Sequence, residues 1–151
     1  MAALPSSERI FASLNLVLVG WALLLVAPRW RHTGNATLGI ALAYALLYAL
    51  LAGEAALDED QPEGGGFGSL AAVTALFSKP RNVLLGWTHY ISYDLLIARG
   101  CVLDSLQRGV PWLVMALCLP VLLMLGPLGL VLYAVVASLY PMPVARQEKG
   151  S

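Results

Sequence analysis

Four long apolar runs constrain this chain more than anything else in it: residues 10–27, 38–57, 82–103 and 110–140. A helix needs about 20 apolar residues to cross a hydrocarbon core of roughly 30 Å. Lipid offers no water to free backbone groups, so such runs must be helical. The expected fold is all-α, a four-transmembrane-helix bundle forming a single domain over residues 1–151. Composition agrees: 59% of the residues are hydrophobic and 12% charged, against roughly 25% charged in soluble domains. This excludes a secreted disulfide scaffold, a disordered tail and an ordinary cytosolic enzyme. Nine Lys and Arg balance nine Asp and Glu, so no basic field points to nucleic acid. Cys101 and Cys118 lie in or beside apolar runs and lack metal-site spacing, which makes them small core hydrophobes.

The segments between the runs carry turn signals. Pro28 follows the small residues that end the first run and suits neither a cleavage site nor a continuing helix, so a retained first helix is expected. The second run carries Gly39-x-x-x-Ala43, a spacing that lets helix backbones approach in lipid. Glu54, near its far end, reads as an interface carboxylate. Asp58 to Gly66 is a charged, proline- and glycine-rich loop. Ser69 to Phe77 is apolar but too short to span, so a short interfacial helix is expected before the third run. Pro120 and Gly126-Pro127 interrupt the last run, which predicts one kinked helix over 110–140. Four spans would put both termini on one side, and the Lys and Arg distribution places that side in the cytoplasm.

The third run is the one with ionisable groups through its middle: Trp87-Thr88-His89-Tyr90-Ile91-Ser92-Tyr93-Asp94, then Arg99 and Asp104. Charges in a span are costly and persist where they pair or work. At 100° per residue, Asn82, His89 and Tyr93 fall within about 40° of one another. Gly86, Tyr90 and Asp104 widen that face, Asp94 borders it, and Arg99 points elsewhere. His89 and Asp94 are thus the candidate catalytic pair, able to border one pocket, with Trp87, Tyr90, Tyr93, Arg99 and Asp104 as candidate substrate-binding residues. The plainer alternative is that His89 bonds across helices as packing and that Arg99 reaches the interface. One His with one or two carboxylates falls short of a metal-ligand set, and no metal is expected. There is no nucleophile elbow, Walker loop or dinucleotide fingerprint, so no cofactor is expected.

The stretch from Leu76-Phe77-Ser78 through Trp87-Thr88-His89 to Asp94-Leu95, Ala98-Arg99 and Asp104 resembles the neoxanthin-synthase-like integral membrane family, linked to abscisic-acid deficiency in plants. Weaker likeness covers Val26-Ala27-Pro28, Leu117-Cys118-Leu119 and Gly126-Pro127-Leu128-Gly129. The resemblance implies a membrane protein of xanthophyll metabolism. It implies an isomerisation in which an epoxide opens, a vinyl proton leaves, and an allene and a tertiary alcohol form. Such a step needs an acid at the epoxide oxygen and a base at the proton. His89 and Asp94 would supply these, with Tyr90 or Tyr93 as donors. The first run begins almost at the start of the sequence, which suggests a bacterial member in the cytoplasmic (inner) membrane. Its expected partners are the lipid bilayer and a carotenoid or other isoprenoid ligand, with a homo-oligomer or a carotenoid-synthesis partner compatible. Two other classes remain open: a non-catalytic pigment-binding or complex-stabilising subunit, and, with less support, a small transporter.

Overall fold

The computed structural model describes residues 5–142, and among them the fold is all-α. Seven helices follow in order: α1 (Ser7–Leu14), α2 (Val17–Val26), α3 (Thr33–Ala56), α4 (Leu70–Leu76), α5 (Pro80–Arg108), α6 (Trp112–Met124) and α7 (Gly126–Leu139). Two stretches are long and apolar enough to cross a membrane: Ser7–Val26, taken through the bend between α1 and α2, and Thr33–Ala56.

That bend has a local cause. Ser13 Oγ donates to Ile10 O at 2.6 Å, a back-bond that loosens the regular ladder. Leu18 and Val19 then bond three residues back rather than four. The carbonyl of Ser13 accepts instead from the Tyr44 hydroxyl of α3, at 2.9 Å. The break is therefore satisfied from the neighbouring helix, as an apolar surrounding requires. The pre-proline residue Ala27 leaves the helical region (φ −131°, ψ 47°). Thr33 Oγ1 donates to its carbonyl at 2.5 Å, closing the turn into α3.

α5 is the central helix. Pro80 sits in its first turn, where a missing N–H costs nothing, and Gly109 ends it in the left-handed region at φ 70°. α3 runs antiparallel along it. Ser92 Oγ donates to Ala41 O at 3.0 Å, and Arg99 Nε donates to Gly34 O at 2.7 Å. Both pairs sum to residue number 133, the register of an antiparallel contact. The close approach falls at Ala41, which is fully buried. Gly39 and Ala43, the expected contact pair, face outward. Leu24, Leu51, Leu95, Val102, Met115 and Leu122 complete a core drawn from α2, α3, α5 and α6.

The last apolar run departs from expectation. It is not one kinked helix but two helices folded back on each other. The chain breaks at Leu125 (φ −137°, ψ 51°). A Cβ on Gly129 would lie 2.5 Å from both Leu122 Cα and Leu122 N. Backbones seven residues apart touch only if the chain has reversed. α7 then runs parallel to α5. Tyr133 Oη donates to Asp104 Oδ2 at 2.6 Å, and Arg108 Nη1 donates to Ala137 O at 3.4 Å and Tyr140 O at 3.3 Å. The separations are 29, 29 and 32 residues, a near-constant register. At 1.5 Å per residue each arm is about 20 Å long. The hairpin starts beside Arg108, turns near the middle of α5 and returns to Arg108. Four simple spans would bring both ends of the chain to one side. Instead, Ser7 lies beside Arg81 at the start of α5, and Tyr140 lies beside Arg108 at its other end.

Candidate functional site

Part of the face read on α5 lines one groove; Tyr90 and Asp104, which were to widen it, do not. Asn82, Gly86, His89 and Tyr93, spaced four, three and four residues apart, fall on one stripe of the helix. The first three line a groove of about 640 Å³ together with Tyr48 of α3, Gln61 and Phe67 of the following loop, and Phe77 beyond α4. His89 is exposed on its wall. Its ring stacks on Tyr93, centroids 4.5 Å apart at 21°, and tilts against Tyr48 at 5.3 Å and 58°. Gly86 makes room for the roof: a Cβ there would lie 2.7 Å from Phe77 Cε1.

The segment roofing the groove is fixed at both ends and apolar in its middle. Lys79 pairs with the Asp58 carboxylate and donates to Asp60 O at 3.0 Å. Gln61 Nε2 donates to Ala55 O at 2.9 Å. Asn82 Nδ2 donates to Gln61 Oε1 at 3.0 Å and to Leu76 O at 2.8 Å. Ser69 caps α4, accepting from Ala72 N at 3.1 Å. Between these ties, Phe67 is 85% and Leu70 84% exposed, and α4 buries no residue. The short apolar helix expected before the third run is present as α4.

Lys79 holds the Asp58 carboxyl below its ordinary value, chiefly by hydrogen bonding to it. A lowered carboxylate pKa contributes stability above the unfolded value and loses it as pH falls through the folded one. The Asp58 anchor is therefore intact at neutral pH and released in acid. In an acid titration of the wild-type protein, protease nicking near Gly64–Gly66 is expected to rise below about pH 4. Asp58→Asn is expected to show the elevated nicking already at pH 7. A flat wild-type profile would contradict this role.

The other candidate residues disperse. Trp87 faces away from His89, into a second groove of about 310 Å³ between α1 and α5, with Phe11, Val83 and Leu84. Its ring lies 5.4 Å from that of Tyr90. Asp94 stands five residues, or about 140° of helix, from His89. It faces the tip of the α6–α7 hairpin, where a Cβ on Gly126 would lie 2.7 Å from Asp94 Oδ1. Asp94 Oδ2 is buried with no hydrogen-bond partner among the described residues. His89 and Asp94 thus do not border one groove. Arg99 is half-buried and ties α5 to the start of α3 through its Nε. Asp104 accepts from Arg108 Nε and from Tyr133 Oη, both at 2.6 Å, and locks the returning arm of the hairpin. Glu54 pairs with Arg81 at the bundle end. Tyr48, Gln61, Phe67 and Phe77 are groove residues absent from the sequence expectation. Tyr48 carried a signal, as the one hydroxyl-bearing ring in the second half of its apolar run. Gln61 and Phe67 carried none, because a loop's position depends on contacts remote in sequence.

Residues 10–133 match the family model described as ABA DEFICIENT 4-like. No curated protein and no solved structure matches the chain.

Proposed function

The chain belongs to the ABA DEFICIENT 4-like family, and from that premise we propose that it is an integral membrane protein of xanthophyll metabolism that isomerises an oxygenated polyene in the His89 groove without a cofactor. In this reading α1–α2, α3 and α5 cross the bilayer, and the α6–α7 hairpin enters from the Arg108 side to about half depth. α5, at 29 residues, is about 43 Å long and outreaches a core of roughly 30 Å. The groove sits at the end where α5 begins, near one interface. A polyene that crosses a bilayer puts its oxygenated end rings at the interfaces, so a ring meets the groove there. The exposed Phe67 and Leu70 make the groove's rim apolar, suited to a ligand that arrives through lipid.

The observation that carries the reading is the His89 ring, exposed in an aromatic groove on the helix that bears the family resemblance. His89 is the base that takes the vinyl proton. The Tyr48 hydroxyl is the acid that protonates the epoxide oxygen as the C–O bond breaks. The proton returns from His89 to Tyr48 and the mass is unchanged. Asp94, outside the groove, seats the hairpin.

Coexpression tests the reading. In a bacterial host that accumulates violaxanthin, which carries the epoxide, the chain is expected to produce a new isomer, absent with His89→Ala, whereas zeaxanthin and β-carotene, which have none, stay unchanged. A pigment that co-purifies unchanged would favour a pigment-binding subunit. No new isomer and no bound pigment would refute both.

A further inference from the structure

The groove's polar end has a use that the isomerisation chemistry does not assign. Asn82 is 4% exposed, and both of its N–H donors are spent, on Gln61 Oε1 and Leu76 O. Its Oδ1 accepts no hydrogen bond among the described residues and is not shut off from solvent. An amide nitrogen has two donors, and Gln61 Nε2 gives one to Ala55 O. Asn82 and Gln61 thus bring an uncommitted carbonyl acceptor and an uncommitted N–H donor to the lining of a groove otherwise walled by Tyr48, Leu76, Phe77, Leu85 and His89. One acceptor and one donor together complement a hydroxyl group, which both donates and accepts. A hydrocarbon end would leave both unpaired, at a cost. Neither residue carries a charge that would favour an ionised ligand.

We propose that Gln61 and Asn82 are the specificity-determining pair of the groove, recognising a hydroxyl group on the end ring of the polyene. The assignment rests on the polyene reading of the groove. Asn82 places the pair on the rigid helix. Gln61, tied to both α3 and α5, fixes its second half. The Lys79–Asp58 and Asn82–Leu76 ties keep the loop in place when the Gln61 amide is lost.

The test is a binding comparison with the purified full chain in phosphatidylcholine nanodiscs, using zeaxanthin, hydroxylated on both end rings, and β-carotene, which has no oxygen. The wild-type chain is expected to bind zeaxanthin about tenfold more tightly, the scale of one or two neutral hydrogen bonds. Gln61→Met is expected to reduce that preference to about twofold while leaving β-carotene affinity unchanged. Gln61→Glu, which keeps the acceptor for Asn82 but lacks the donor, is expected to behave like Gln61→Met. A merely structural Gln61 would weaken both pigments together, and that result would overturn the assignment. So would a wild-type chain that binds the two pigments equally. If neither pigment binds the wild-type chain, the polyene reading itself fails and this assignment falls with it.

Discussion

Replacing His89 by alanine is expected to lower the isomerisation rate by about 10²- to 10⁴-fold, the usual contribution of a positioned general base. Pigment affinity should change little, because the aromatic and apolar wall and the Gln61–Asn82 pair remain. The His89 ring does pack on Tyr93 and Tyr48, so His89→Phe is the more discriminating variant. It keeps the stack and removes the proton acceptor. A His89→Phe protein that binds pigment at wild-type affinity but does not convert it would assign the loss to chemistry. Single-turnover rates with saturating pigment separate the two quantities. Activity in His89→Phe would remove His89 from the reaction and shift attention to the tyrosines.

Replacing Gly129 by leucine is expected to have the largest effect on stability. The clash it creates is with backbone: a Cβ would lie 2.5 Å from Leu122 Cα and N. A flexible side chain can swing aside, but the first turn of α7 and the last of α6 cannot separate without opening the hairpin. Overpacking ordinarily costs about 1–3 kcal/mol, and this contact lies at or beyond the upper end of that range. Opening the hairpin would also free Asp94 from Gly126 and Tyr133 from Asp104. Gly39→Ala is the control. Nothing lies within 4 Å of a Cβ there, so a helix-interior alanine should be neutral or stabilising by about 0.4–1 kcal/mol. Thermal unfolding of both variants in one detergent measures the contrast. Equal midpoints would contradict the folded-back arrangement.

The all-α class and the ends of α2 and α5 were legible in the sequence because each rests on local rules, whereas the break between α1 and α2 was not. Pro28 and Gly109 end α2 and α5 as backbone sterics demand. The Asn82–Gly86–His89–Tyr93 stripe follows from helical periodicity alone. Less legible was the step from one helix face to its neighbours. His89 and Asp94 lie close in sequence, but 140° of rotation delivers them to different partners. The fold-back of residues 110–140 was hidden for a related reason. Apolar content is the same for a long kinked helix and a hairpin of two short ones. The difference lies in Gly129, whose missing side chain matters only once Leu122 is opposite it. Arg99 and Asp104 read as site residues because charge in a span is costly. They carry structure instead, bonded to Gly34 and to Tyr133 and Arg108. Gln61 entered the groove from a loop whose composition announced only flexibility.

That this chain alone rearranges an oxygenated polyene is tested most directly with the purified protein in nanodiscs, one pure epoxidised xanthophyll and no added cofactor or reductant, followed by chromatography and mass measurement. The expected result is a product of unchanged mass and altered retention and absorption, formed by the wild-type chain and not by His89→Phe. A recovered pigment identical to the one added, while it remains bound in the groove, would contradict it.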